Sequence, residues 1–247
     1  ANPNPWTDET GTSVNYTEIH DNMTLYDKLT LVEPGMDETW YERLQKTAIS
    51  LVLLAQGMPV LHAGMEFMRT KEIPSDLLAM HPDLGDLFRT ADGKRAFSHN
   101  SYNLADSINA LDWRRCAEKR ELVAYVRRLI VLRLEHPLFR LRTDSEVALS
   151  LAFVPEVARG ETGSSILAWV INAFATVDPW QSVFVVVNAG TTSVKVTLPR
   201  ASGGGAWHLV TDGVYFAPDG KPASDAALPP DSVVPIAAKA LYLYAEF

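Results

Sequence analysis

Val14-Asn15-Tyr16-Thr17-Glu18-Ile19-His20-Asp21-Asn22 sets an apolar alternation directly ahead of an imidazole, a carboxylate and a carboxamide. Val14 and Tyr16 have the period-two spacing of a short strand, and Gly11-Thr12-Ser13 before them reads as loop. His20, Asp21 and Asn22 then fall where the strand runs out. Enzymes built on parallel strands keep reactive groups there, because strand ends hold short polar side chains in fixed positions around a shared crevice. The plainer reading of the same residues is a helix cap or turn made by Asp21 and Asn22.

The pattern extends in both directions. Residues 1–13 are rich in Pro, Asn, Thr and Gly and read as loop. Met23 to Lys28 is expected to form a short helical turn that Pro34-Gly35 breaks. Asp37 then caps a helix over Glu38 to Gln56, where Tyr41, Leu44, Ala48, Leu51, Val52 and Ala55 repeat at helical spacing, and Gly57 closes it. Met58 to Gly64 is a short apolar run bounded by glycine, as a buried strand is. Strand, helix and strand in that order give a parallel unit with a crossover helix.

Residues 65–113 read as a long polar loop, a kind of segment that is usually functional. A second helix is expected over Ala117 to Glu135, ended by His136-Pro137. Near Arg142 the composition changes to short β-rich runs: 147–154, 165–173, 182–188, 193–198, 207–211 and 240–247. With turn clusters and no helix pattern between them, they predict an antiparallel sandwich.

Composition narrows the function. The 247 residues carry a formal net charge of −8, which gives a nucleic acid or an anionic membrane no electrostatic support. A neutral ligand such as a sugar is compatible. Cys116 is the only cysteine, so an intrachain disulfide is ruled out, and secreted and cytoplasmic locations both stay open. No apolar run approaches the roughly 18 residues of a membrane helix. The opening Ala1-Asn2-Pro3-Asn4-Pro5 resembles the interior of a loop, so the chain reads as part of a longer protein.

Three ordered stretches carry a family resemblance. Val14 to Leu29 resembles the last catalytic signature of the type I pullulanases, starch-debranching members of the alpha-amylase clan. Gly57-Met58-Pro59-Val60-Leu61-His62-Ala63-Gly64-Met65-Glu66-Phe67-Met68-Arg69-Thr70-Lys71 looks like their eighth barrel strand and following loop. His99-Asn100-Ser101-Tyr102-Asn103-Leu104-Ala105-Asp106 and the residues to Trp113 look like their substrate-lining segment.

That resemblance implies roles. His20 and Asp21 would bind the transition state at the glucosyl subsite before the cleaved bond, with Asn22 beside them. Asp106 would bond a glucose one subsite further away, bordered by Tyr102 and Asn103. The residue types suit the chemistry: a carboxylate accepts from two neighbouring hydroxyls, an imidazole donates from one nitrogen, and both bonds strengthen as an oxocarbenium-like state forms. The family's nucleophilic Asp and acid Glu belong to upstream motifs, and neither motif occurs in this chain. The stabilising pair without the reacting pair is expected to be inactive alone.

Other polar groups carry bland expectations. His62 reads as a satisfied core histidine or barrel-interior contact, and Glu66 as a group that orients its neighbours. His81, His99, His136 and His208 are dispersed, which suggests surface or turn roles. Trp180, in Val177-Asp178-Pro179-Trp180, is the sandwich tryptophan best placed for exposed sugar stacking. No metal or cofactor is implied.

The expected architecture is therefore α/β plus all-β. Residues 1–142 are the C-terminal portion of a TIM (β/α)8 barrel and residues 143–247 an antiparallel β-sandwich. The expected partners are an α-glucan (pullulan, amylopectin or limit dextrin) and the remaining N-terminal part of the same enzyme. Rival readings are a non-catalytic starch- or maltooligosaccharide-binding module, and another clan member such as an isoamylase or glycogen-debranching enzyme.

Overall fold

The computed structural model describes residues 7–19, 22–80, 87–158, 165–217 and 226–247. His20, Asp21 and His81 lie outside the described residues. In chain order the elements are β1 (Val14–Asn15), α1 (Leu25–Val32), α2 (Glu38–Leu54), β2 (Met58–Pro59), α3 (Ser75–Met80), β3 (Leu87–Arg89) and β4 (Ala96–Ser98). There follow α4 (Asp106–Asn109), α5 (Trp113–Glu118), α6 (Arg120–Glu135), α7 (Asp144–Ser150), β5 (Leu151–Phe153), β6 (Ile166–Asn172) and β7 (Ser182–Asn188). The last are β8 (Val194–Thr197), β9 (His208–Thr211), β10 (Val233–Ile236) and β11 (Ala240–Glu246). The chain groups into two compact units.

One unit comprises residues 1–15, 50–59 and 127–247. Its first strands pair in parallel, Val14 with Met58 and Asn15 with Pro59, which is the strand–helix–strand order expected from the sequence. The pairing is shorter than expected, because β2 stops at Pro59 rather than running to Gly64. Helix α2 likewise ends at Leu54 rather than Gln56. Its closing turn is held by Arg133, whose guanidinium donates to the carbonyls of Leu53 and Ala55 at 2.7 Å and of Gly57 at 2.6 Å. A planar fork reaches three carbonyl oxygens that the helix end leaves open. Gly57 at φ +96° makes the reversal that brings its own carbonyl into that fork.

The same unit holds a five-stranded antiparallel sheet in the order β5-β6-β7-β11-β9 and a two-stranded ribbon of β10 and β8. Ala168, Val170, Phe184, Val186 and Tyr244 of the sheet share one core with Val196, Val234 and Ile236 of the ribbon and with Trp207. Every residue of β7 is buried, so both faces of the central strand are covered. The structure differs from the sequence reading at several places in this unit. Residues 147–150 are helical, because the Thr143 hydroxyl accepts the Glu146 amide at 3.1 Å and starts α7. Strand β10 was hidden by Pro235, which a ribbon edge accommodates. Trp180 is only 4% exposed and lies stacked on His136 with ring centroids 3.6 Å apart. It offers no face to a sugar, and His136, bonded to Asp178 at 2.8 Å, is a buried anchor rather than a surface residue.

The other unit comprises residues 16–49 and 60–126. The segment expected as loop, 65–113, carries α3, α4 and the antiparallel hairpin of β3 and β4. The expected helix 117–135 begins earlier and is split at Lys119 into α5 and α6. The short turn after Asn22 is the eight-residue α1, capped by Thr24, whose hydroxyl accepts the Asp27 amide at 3.2 Å. Asp27 is fully buried in α1. Its carboxylate accepts the Thr70 hydroxyl at 2.5 Å and the Lys71 amide at 2.8 Å. Burial raises its pKa to about 6 against the opposing pull of those hydrogen bonds.

Two predictions follow from these anchors. Arg133→Lys is expected to lower unfolding free energy by about 2–4 kcal/mol, since an ammonium cannot meet all three carbonyls. Denaturant titration at neutral pH reads it, and an unchanged midpoint contradicts it. Asp27 binds its proton more tightly folded than unfolded, so its contribution is greatest below about pH 4 and declines as pH rises to about 6. The wild-type stability minus that of Asp27→Asn is expected to fall by about 2 kcal/mol between pH 4 and pH 7. A difference that does not vary with pH would refute this.

Candidate functional site

The chain leaving β1 and the chain leaving β2 each run into polar residues, and these residues meet. Glu18, four residues beyond Val14, is 3% exposed. A buried carboxylate needs donors on both oxygens. Oε2 accepts the Leu25 amide at 2.8 Å, at the entrance of α1. Oε1 accepts from His62 Nδ1 at 2.5 Å.

His62 Nε2 in turn lies 3.2 Å from Arg69 Nη1. A guanidinium only donates, so Nε2 is the acceptor and the ring proton sits on Nδ1, facing Glu18. Arg69 also donates through Nη2 to the Asn109 carbonyl, the last residue of α4. Its approach is shaped by Gly64 at φ +100°, where an added Cβ would stand 2.7 Å from Arg69 Cβ. Glu66 accepts the Gly64 amide at 2.9 Å and so steadies the turn, the orienting role its position suggested. His62 is not a core histidine. Its side chain is 40% exposed, and Glu18 and Arg69 fix its ring from two sides.

Glu18, Ile19, Asn22, Val60, Leu61, His62, Ala63 and Lys71 line a cavity of about 310 Å³. Its walls are the segments that follow two parallel strands. In open parallel sheets, ligands bind beyond the carboxyl ends of the strands. Asn22 is exposed there, its Oδ1 accepting the Met23 amide at 2.8 Å. His20 and Asp21, the expected stabilising pair, lie outside the described residues, between two lining residues in the chain.

Tyr102, Asn103 and Asp106 are exposed but do not line this cavity. Asp106 opens α4, and Tyr102 is 75% exposed. The turn that carries them is held by Asn109. Its Nδ2 donates to the carbonyls of Ser101 at 2.6 Å and Leu104 at 3.0 Å, and its Oδ1 accepts the Ser101 hydroxyl at 2.9 Å. The backbone of this loop is thus satisfied by Asn109, and the three expected sugar contacts are left facing outward.

Sequence reasoning gave no role to Glu18, Arg69 or Lys71. The signal available for Glu18 was a carboxylate three residues before Asp21 with no Lys or Arg between Tyr16 and Leu25.

A family model described as the pullulanase all-beta domain matches residues 160–214. The pullulanase of Bacillus subtilis (strain 168) is 33% identical over 196 residues, which is 79% of this chain and 23% of that protein. The solved pullulanase from Bacillus acidopullulyticus has a TM-score of 0.75 at 27% identity, covering 97% of this chain and 25% of that one. A pullulanase from Paenibacillus barengoltzii, solved in complex with maltohexaose and alpha-cyclodextrin, has a TM-score of 0.72 at 30% identity, covering 96% and 30%. The chain spans about a quarter of the length of these relatives. Pullulanases are thus similar to this chain across both its helical and its sheet-bearing stretches.

Proposed function

We propose that this chain is the C-terminal part of a debranching glycoside hydrolase that cleaves α-1,6-glucosidic bonds in pullulan, amylopectin or limit dextrins with retention at the anomeric carbon. Residues 1–142 complete its barrel as the last two strand–helix units, and residues 143–247 form the sandwich that follows. The observation that carries the reading is the cavity of Glu18, Asn22, His62 and Lys71, reached by two segments that follow parallel strands in a pullulanase-like chain.

In this reading His20 and Asp21 grip the sugar on the non-reducing side of the bond. Asp21 accepts from two adjacent hydroxyls and His20 donates to one, and both bonds shorten as the ring flattens toward the oxocarbenium-like state. Glu18 and His62 act on the site only by position, holding the two segments that carry its walls. Asn22 supplies an amide donor at the rim. Tyr102, Asn103 and Asp106 border a neighbouring glucosyl unit.

A double displacement needs a nucleophilic carboxylate and an acid about 5 Å apart. Both come from the preceding part of the same protein, so the 247-residue chain alone is inactive. α-Glucan is the ligand, as the maltohexaose complex of the Paenibacillus relative suggests. A sugar-binding module working through the strand-rich half receives no support from Trp180, which is buried.

In the full-length protein, Asp21→Asn is expected to lower turnover on pullulan by roughly two or more orders of magnitude with the thermal midpoint unchanged. Turnover near that of the wild type would remove Asp21 from the site.

A further inference from the structure

A second hollow, of about 480 Å³, adjoins the first. Asn22 lines both. Beyond Asn22 its walls are Lys28 and Val32 of α1 on one side and Phe88 and His99 of the hairpin on the other. Both hollows lie within one compact unit.

The hairpin wall is braced by contacts to the segment before it. The Ile73 amide donates to the Ala96 carbonyl at 2.8 Å, and Arg95 pairs with Glu72 at 2.7 Å. Arg95 also lies over the fully buried Phe97 ring, 5.1 Å from its centroid. Phe88 is fixed edge-on to His99, with centroids 5.7 Å apart and planes at 80°. It nonetheless remains 47% exposed, and Val32 opposite is 77% exposed.

Apolar surface held open on two separate elements, with a few polar groups at the rim, is the make-up of a ligand site rather than of a finished core. His99 Nδ1 is shielded from solvent and has no hydrogen-bond partner. A buried ring nitrogen without a partner is a polar demand that the protein itself leaves unmet. Among the described residues Lys28 is the one Lys, Arg, Asp or Glu that lines the hollow, and a single cation suits a neutral occupant better than a polyanion.

We propose that this cleft is an auxiliary subsite for an α-glucan chain, receiving glucosyl units beyond those held at the His20–Asp21 site. A pyranose ring has apolar C–H faces and a rim of hydroxyls, which match Phe88 and Val32 on the walls and Asn22, Lys28 and His99 at the edge. Because Asn22 borders both hollows, a chain seated in the first continues into the second. The inference rests on the glucan reading above and extends it to substrate length: longer chains bind more tightly because they reach Phe88.

The test is a kinetic panel on the full-length protein, using branched maltooligosaccharides of increasing chain length. Phe88→Ala is expected to raise KM for the longest member about two- to ten-fold more than for the shortest, while Phe88→Trp restores the wild-type ratio. Thermal midpoints read alongside keep a folding effect separate. Equal KM changes at all lengths, or none, with the wild type still debranching, overturn the subsite and leave the reaction assignment standing. A wild type that cleaves no branched substrate overturns both.

Discussion

The buried carboxylate of Glu18 is the constraint on which the site depends. An ionised carboxyl with almost no solvent contact is tolerated only if donors saturate it, and its donors come from two distant places in the chain. One is the Leu25 amide at the entrance of α1, and the other is His62, 44 positions away. Glu18 therefore ties the segment after the first strand to the segment after the second. Arg69 completes the chain of contacts by turning His62 into a donor toward Glu18. Asp27 repeats the device one helical stretch later, binding α1 to Thr70 and Lys71. Two acceptor-only side chains thus fix both walls of the cavity, and the groups proposed to grip the sugar lie between Glu18 and Asn22.

The two carboxylates differ in what surrounds them. Asp27 is enclosed so completely that burial outweighs three hydrogen bonds and carries its pKa to about 6. Glu18 borders a cavity and faces an imidazole whose far side is held by a guanidinium. Arg133 performs the matching task in the other unit, where its three carbonyl contacts set the turn by which the chain enters β2.

How much of this was legible depends on how local its causes are. Helix α2 and strands β7 and β11 were readable because long runs repeat one period, and each period has a single face or a wholly buried core to serve. The stretch 147–154 misled because Val147, Leu149, Leu151 and Phe153 alternate as a strand does. The Thr143-x-x-Glu146 cap outweighs that alternation for the first turns. Helices as short as α3 and α4 have no periodicity to read. In α4 the last residue, Asn109, is held by Arg69, 40 positions away, on its carbonyl.

The site divides in the same way. Asn22 was named from its place at a strand end, and it lines the cavity. Tyr102, Asn103 and Asp106 were named from a motif, and the cavity does not include them. Glu18 was missed because its meaning lies in His62. The account as a whole is tested most directly by the products that the full-length protein releases from pullulan, whose maltotriose units are joined by α-1,6 bonds. It predicts maltotriose, released as the α-anomer. Products that keep their α-1,6 bonds, or no cleavage at all, would contradict it.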